Sequence, residues 1–310
     1  MRRLIMRMFQ EENDYWRIRN FLRQTLILNE LRQLNWHVAR LDYWRWHVIE
    51  NGDAYDPVEK VTYIWETPDG KIAAVLNPEG RGDAFLHVHP AFRTKKMEEE
   101  MIAVAEKHLA NSCSIGRKVL YVWAHENDDL RKGILEGRGY TKTEIRDCQH
   151  RRSLAIPIPD ASVAKGYVIR ALGDEQEIPA RSWASWRAFH PNEPDEKYDG
   201  WEWYHNIQKQ PLYRRDLDIV AVAPEGEIAA FCTIWYDDFT RTGYIEPVGT
   251  VPEHQRRGLG KTVMLEGLRR LKRMGAVVAF VSGFSTAANA LYFSVMSDDH
   301  NFLVPWKKEF

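Results

Sequence analysis

The sequence predicts an α/β chain of α+β character, made of two tandem domains of similar topology. Three observations predict it. The chain has 310 residues, 44% of them hydrophobic, which is enough for two ordinary cores and too apolar for a disordered chain. It also repeats itself: Pro68-Asp69-Gly70-Lys71-Ile72-Ala73-Ala74 is echoed by Pro224-Glu225-Gly226-Glu227-Ile228-Ala229-Ala230. Each copy has the same surroundings, with a β-rich run before it and a strand, a proline-marked turn and an amphipathic helix after it.

The elements follow in order. Val61-Thr62-Tyr63-Ile64-Trp65 and Ile219-Val220-Ala221-Val222 read as strands, and the Asp-Gly and Glu-Gly that follow them read as hairpin turns. Leu86-His87-Val88-His89-Pro90 and a helix over 97–109 match Val248-Gly249-Thr250-Val251-Pro252 and a helix over 259–271. Leu259, Val263, Leu268 and Leu271 give that second helix an apolar face. Arg269, Arg270, Lys272 and Arg273 lie mostly elsewhere, at the end where the helix dipole favours cations. The first domain is read as 1–155 and the second as 166–310, joined by a linker over 156–165 that holds Pro157 and Pro159. From Tyr167 onward the second domain reads as a strand, a helix over 175–189 and an aromatic-rich helical segment over 196–208. A hairpin over 217–236, a strand over 242–251, a helix over 258–274, a strand over 276–282, a helix over 286–295 and a final strand over 302–308 complete it.

Composition excludes several function classes. With 43 Lys+Arg against 44 Asp+Glu the formal charge is −1, unlike a dedicated nucleic-acid binder. No apolar run approaches the ~20 residues of a membrane helix, and the broken apolar N-terminus makes a poor signal peptide. Cys113, Cys148 and Cys232 lie far apart, without zinc or redox spacing. A soluble protein of the reducing cytoplasm is expected. His87 and His89 share a strand face without a third ligand nearby, so no metal is expected. There is no Gly-x-Ser-x-Gly elbow, and Cys232 reads as a small buried hydrophobe.

The chemistry concentrates in Gln255-Arg256-Arg257-Gly258-Leu259-Gly260-Lys261, between a strand and a helix. Two glycines at a helix start let a ligand approach the backbone, whose first amides point outward. The helix dipole and the charges of Arg256, Arg257 and Lys261 favour an anion there, so the segment reads as a phosphate or pyrophosphate site. A Walker A loop would need glycine at Gln255, and a Rossmann fingerprint would need glycine at Val263. His254 lies beside the loop as a surface turn residue or a phosphate contact.

Val248 through Gly260 resembles the coenzyme A-binding motif of the GCN5-related N-acetyltransferase (GNAT) superfamily, whose core is Q/R-x-x-G-x-G/A. Asn289-Ala290-Leu291-Tyr292 is similar to the family's Asn…Leu-Tyr segment. The resemblance implies in each domain a central mixed, mostly antiparallel sheet flanked by helices. It also implies acetyl transfer from acetyl-CoA to an amine, by direct attack in a ternary complex. Val248, Gly249, Thr250, Gln255, Arg256, Arg257, Gly258, Leu259, Gly260, Lys261 and Asn289 would then bind the cofactor, with strand amides at Val248–Thr250 polarising the thioester carbonyl. Glu246 would be the general base, or else a substrate-charge anchor or structural carboxylate. Tyr292 would be the general acid, or else a core aromatic.

The first domain departs from this pattern. Where the loop should be it reads Arg93-Thr94-Lys95-Lys96-Met97-Glu98, without either glycine, and Leu135 stands at the tyrosine position. It is expected to keep the fold without the chemistry. After Tyr292 the family's usual Gly-Phe is replaced by Met296-Ser297-Asp298-Asp299-His300. Trp183, Trp186, Phe189, Tyr198, Trp201, Trp203, Tyr204 and Tyr213, with acids at Glu193, Asp195, Glu196, Asp199 and Glu202, read as core or as an aromatic wall for a cationic amine. The acceptor is a small-molecule or peptide amine, and a monomer is expected.

Overall fold

A computed structural model describes residues 4–52, 55–112, 116–160 and 162–310, so Cys113 lies outside the described residues. They form two compact units, Met1–Cys148 with Asn301–Phe310, and Gln149–His300.

The first unit opens with strand β1 (Ile5–Met8), helices α1 (Glu12–Leu28), α2 (Val38–Tyr43) and α3 (Val58–Val61), and strands β2 (Tyr63–Glu66), β3 (Ile72–Asn77) and β4 (Asp83–Val88). It continues through α4 (Lys95–His108), β5 (Asn111–Ser112), β6 (Lys118–His125), α5 (Asp129–Gly137) and β7 (Thr141–Lys142). After them β8 (Asp147–Ser153) carries the chain into the second unit. That unit holds β9 (Val168–Ala171), α6 (Ile178–Phe189), α7 (Tyr204–Gln208), β10 (Asp218–Val222), β11 (Ile228–Asp237) and β12 (Thr242–Thr250). Next come α8 (Leu259–Arg273), β13 (Val278–Gly283) and α9 (Thr286–Val295), and the chain ends in β14 (His300–Glu309).

The repeat is built into the backbone. The second unit runs β9-β10-β11-β12-β13-β8, and the first runs β1-β2-β3-β4-β6-β14. Each has antiparallel pairs up to one parallel pair, β4 with β6 and β12 with β13. The two hairpin turns share their hydrogen bonds. Thr67 N–H donates to Lys71 O at 2.9 Å and Gly70 N–H to Thr67 O at 2.8 Å. Their counterparts are Ala223 N–H to Glu227 O at 2.9 Å and Gly226 N–H to Ala223 O at 3.0 Å. Both turns end on a glycine of positive φ, Gly70 and Gly226.

Each unit has its own core, one including Trp65, Leu76, Met101 and Leu120, the other Ile219, Cys232, Val263, Leu268 and Leu271. The apolar face read on α8 is buried as expected. Two expectations need correction. Over 196–208 only a short turn at Asp195–Lys197 and α7 are helical, because Gly200 at φ +95° interrupts the segment. The last strand, read with the second domain, belongs to the first unit: Leu303 and Trp306 bury in its core and β14 pairs antiparallel with β6.

Candidate active site

The site is built where β12 leaves its neighbour. β12 pairs in parallel with β13 over Thr242–Tyr244 against Val278–Phe280, and beyond Tyr244 the two strands part. On its other edge β12 pairs with β11, with a register shift where Ile234 faces Ile245 and Cys232 faces Val248. Glu246 and the cis Glu246–Pro247 bond fall in that shift, and the Trp235 indole N–H holds the Glu246 carbonyl at 2.6 Å. Val251 N–H donates to Ala229 O on β11. Backbone direction alternates along a strand, so the amides of Val248 and Thr250 point to the opposite edge, into the gap.

A cavity of about 170 Å³ opens at this gap, lined by Phe189, Tyr244, Ile245, Glu246, Pro247, Val248, Ser282 and Tyr292. It brings together Glu246, Val248 and Tyr292. Tyr292 comes from α9, whose N-cap Ser285 accepts from Ala288 N–H at 3.1 Å. Asn289, one turn earlier, donates from Nδ2 to Gly283 O at 3.1 Å and meets His150 Nε2 through Oδ1 at 2.9 Å.

The loop lies at the other end of β12. Gly258 is the N-cap of α8 at φ +77°, with no side-chain cap, so a first turn of amides is left without an intrahelical partner. A Cβ at Gly258 would meet nothing within 4 Å, whereas one at Gly260 would meet Leu291 at 3.2 Å and Thr250 Oγ1 at 3.4 Å. The first glycine thus supplies backbone shape and the second supplies space between α8, β12 and α9. Gln255, Arg256, Arg257 and Lys261 are exposed around this turn and Leu259 is buried beneath it. Gly249 lets β12 pass closely over Phe231. Arg257 donates to Tyr167 Oη at 2.8 Å, and the same phenol is 2.8 Å from His254 Nδ1. His254 Nε2 is 2.6 Å from Glu227, so this histidine braces the loop from below. The residues fit a pyrophosphate: open amides, a helix N-terminus and exposed cations converge.

At the corresponding helix start in the first unit, side chains take the groups that stand open at α8. Thr94 caps α4 by accepting from Met97 N–H at 3.2 Å. Glu98, fully buried, accepts from Arg93 Nε at 2.6 Å and from Arg131 Nε at 2.9 Å. Arg93 also reaches Asp128 at 2.5 Å. Burial pushes the Glu98 carboxyl up, but the Arg131 and Arg93 charges outweigh it and hold it below the usual range. The strand amide is taken as well: Val88 N–H donates to Asn35 Oδ1 at 3.1 Å, while Asn35 Nδ2 donates back to Val88 O at 3.3 Å. Leu135 is buried at the tyrosine position. A cavity of about 480 Å³ nevertheless lies beside this helix start, lined by Asn35, Val88, Arg93, His125, Asp128 and Arg131 among others, so the loop is covered while the cleft next to it stays open.

Sequence reasoning missed His150 and Ser282. Ser282 Oγ is buried without a hydrogen-bond partner among the described residues, and a lone serine at a strand end gives no signal. His150 is 139 positions from Asn289, so no local pattern marks it. His87 accepts from Trp36 N–H and His89 from Ala91 N–H. Among the described residues no cluster of His, Cys, Asp or Glu could hold a metal ion. Burial pushes the Cys232 thiol up and that of Cys148 up to about 11, so both are inert side chains. Of the aromatics, Tyr204 is fully buried and hydrogen-bonded to Asp218, whereas Phe189 is exposed at the cavity. Trp183, Trp186 and Tyr198 pack on one another, half-buried.

Comparison with known proteins bears on the family and the fold. The Acetyltransferase (GNAT) family profile matches residues 179–294. A mycothiol acetyltransferase of Arthrobacter sp. (strain FB24) is 27% identical over 243 residues, 72% of this chain and 69% of that protein. A GCN5-related N-acetyltransferase from Sphaerobacter thermophilus superposes with a TM-score of 0.65 at 20% identity, covering 99% of this chain and 95% of that one. A tandem GNAT protein from the clavulanic acid biosynthesis pathway gives 0.62 at 13% identity, covering 99% and 98%. Residues 179–294 thus match the GNAT acetyltransferase family, and the chain as a whole has the fold of a tandem GNAT protein.

Proposed function

We propose that the second unit transfers an acetyl group from acetyl-CoA to a primary amine of a small molecule or peptide, by direct attack in a ternary complex, and that the first unit is non-catalytic. The observation that carries this is the cavity shared by Glu246, Val248 and Tyr292 at the strand gap, beside the open N-terminus of α8. Acetyl-CoA supplies the activated acyl group. Gly258, Leu259, Gly260 and Lys261 hold its pyrophosphate with their amides, helped by Gln255, Arg256 and Arg257. Val248, Gly249 and Thr250 border its thioester end, with the Val248 and Thr250 amides aimed at the carbonyl, and Asn289 lies toward its pantetheine or pyrophosphate side. An alkylammonium has a pKa of about 10 in water, so Glu246 takes a proton from the acceptor, directly or through a water. As the new C–N bond forms and the C–S bond breaks, Tyr292 gives its phenolic proton to the departing sulfur and regains one from the acylated nitrogen, which loses its second proton to become the amide.

No metal takes part in this scheme. Among the described residues no helix is long and apolar enough to cross a membrane. The reading takes the enzyme as a cytoplasmic monomer that acts on neither membranes nor nucleic acid. The mycothiol acetyltransferase relatives make an acceptor like theirs the first to assay. Thiol release from acetyl-CoA across a panel of amines tests the reading. Tyr292→Phe and Glu246→Gln are each expected to lower kcat by about 100-fold or more. Tight CoA binding without turnover on any amine would leave an acyl-CoA-binding module instead.

A further inference from the structure

We propose that His150 is a positioning residue for Tyr292, acting through Asn289; this rests on the role given to Tyr292 above. His150 is on β8, which follows the whole first repeat in sequence, yet from Gln149 onward this strand belongs to the second unit and lies beside β13. The imidazole is fully buried. Its Nε2 is 2.9 Å from Asn289 Oδ1, and Asn289 Nδ2 donates to Gly283 O at 3.1 Å. With the amide nitrogen committed to a carbonyl, the oxygen faces the ring, so Nε2 carries the proton. Burial pushes the imidazole pKa down, with the Asn289 hydrogen bond opposing.

The same ring packs edge-on against Tyr292, with centroids 5.6 Å apart, and against Phe293 at 4.5 Å. Asn289 and Tyr292 are three apart on α9 and share a face. A Cβ at Gly283 would stand 2.6 Å from Asn289 Oδ1 and 3.0 Å from the Tyr292 ring. β13 therefore presses on both residues from one side and His150 holds them from another, which fixes the rotation of α9 about its axis. In the first unit, counting from the N-cap, the positions matching Asn289 and Tyr292 are Lys132 and Leu135. Lys132 instead reaches the Glu126 carbonyl at 2.7 Å. The pair held by His150 is missing from the repeat whose loop is closed.

The test labels position 292 of the full chain with 3-fluorotyrosine and compares wild type, His150→Phe, His150→Gln and Asn289→Ala. The ¹⁹F resonance is expected to move in His150→Phe and Asn289→Ala and to return toward wild type in His150→Gln, whose amide can still donate to Asn289. In unlabelled protein, His150→Phe is expected to lower kcat on the order of 10-fold, with KM for acetyl-CoA within about 2-fold, and His150→Gln to recover most of it. An unmoved resonance in both His150→Phe and Asn289→Ala overturns the proposal, whatever the activity. If His150→Phe does not fold, Asn289→Ala decides alone. A moved resonance in a chain without turnover would keep the positioning role and overturn the catalytic reading.

Discussion

The N-termini of α4 and α8 occupy the same place in two copies of one fold, and they are finished in opposite ways. At α8 the cap is Gly258 in a left-handed conformation, the next turn holds Gly260, and the nearby cations stand in solvent. At α4 a threonine side chain takes an amide, and a buried carboxylate pairs with two arginines beside it. The strand edges differ in the same sense, since Asn35 seals the amide of Val88. A helix start open to a ligand leaves donors unsatisfied, and a helix start closed by its own side chains gains stability instead. At its helix start the first unit has side-chain partners where the second has open amides.

The largest effect expected from this contrast is on stability. Glu98→Ala leaves Arg131 buried without its carboxylate and should cost the first unit about 3–5 kcal/mol in urea denaturation. CoA affinity should be unchanged, and a loss of affinity would show that the closed loop still serves the ligand.

Next comes pH. The Glu98 and Asp128 carboxyls are both held below the usual range by Arg131 and Arg93 against burial. A lowered folded-state value means that their contribution is complete above the ordinary carboxylate pKa of about 4 and is lost as pH falls through the folded values. Stability of the wild type should therefore fall steeply on acidification below about pH 4, and Glu98→Gln should flatten that slope. An equal slope in both proteins would remove the network from the account.

Gly258→Ala puts a side chain at φ +77° and should cost about 1–2 kcal/mol. It adds no clash, since that Cβ has open space around it. The smallest effect is Thr94→Ala, a lost cap worth about 1 kcal/mol in melting experiments.

Much of this was legible in the chain because it is local. The two hairpin turns, the apolar face of α8 and the bounds of α9 each follow from a few adjacent residues. The closed loop was legible too, as missing glycines and a carboxylate at Glu98, although its partner Arg131 is 33 positions away. What stayed hidden depends on distant partners. Asn35 finds Val88 across 53 positions, and His150 finds Asn289 across 139. The last strand reads the same in either unit, because alternation sets which residues are buried but not against which core. The stretch over 196–208 misled because its aromatic density outweighed Gly200.

Calorimetric titration of the full chain with CoA, wild type against Gly260→Glu, tests the central claim most directly. The substitution copies Glu98 into the open loop, where Leu291 and Thr250 already crowd the position. One equivalent of CoA is expected for the wild type, and none at micromolar concentrations for the variant, whose circular dichroism should stay that of the folded chain. Two equivalents in the wild type, or micromolar binding that survives Gly260→Glu, would contradict the account.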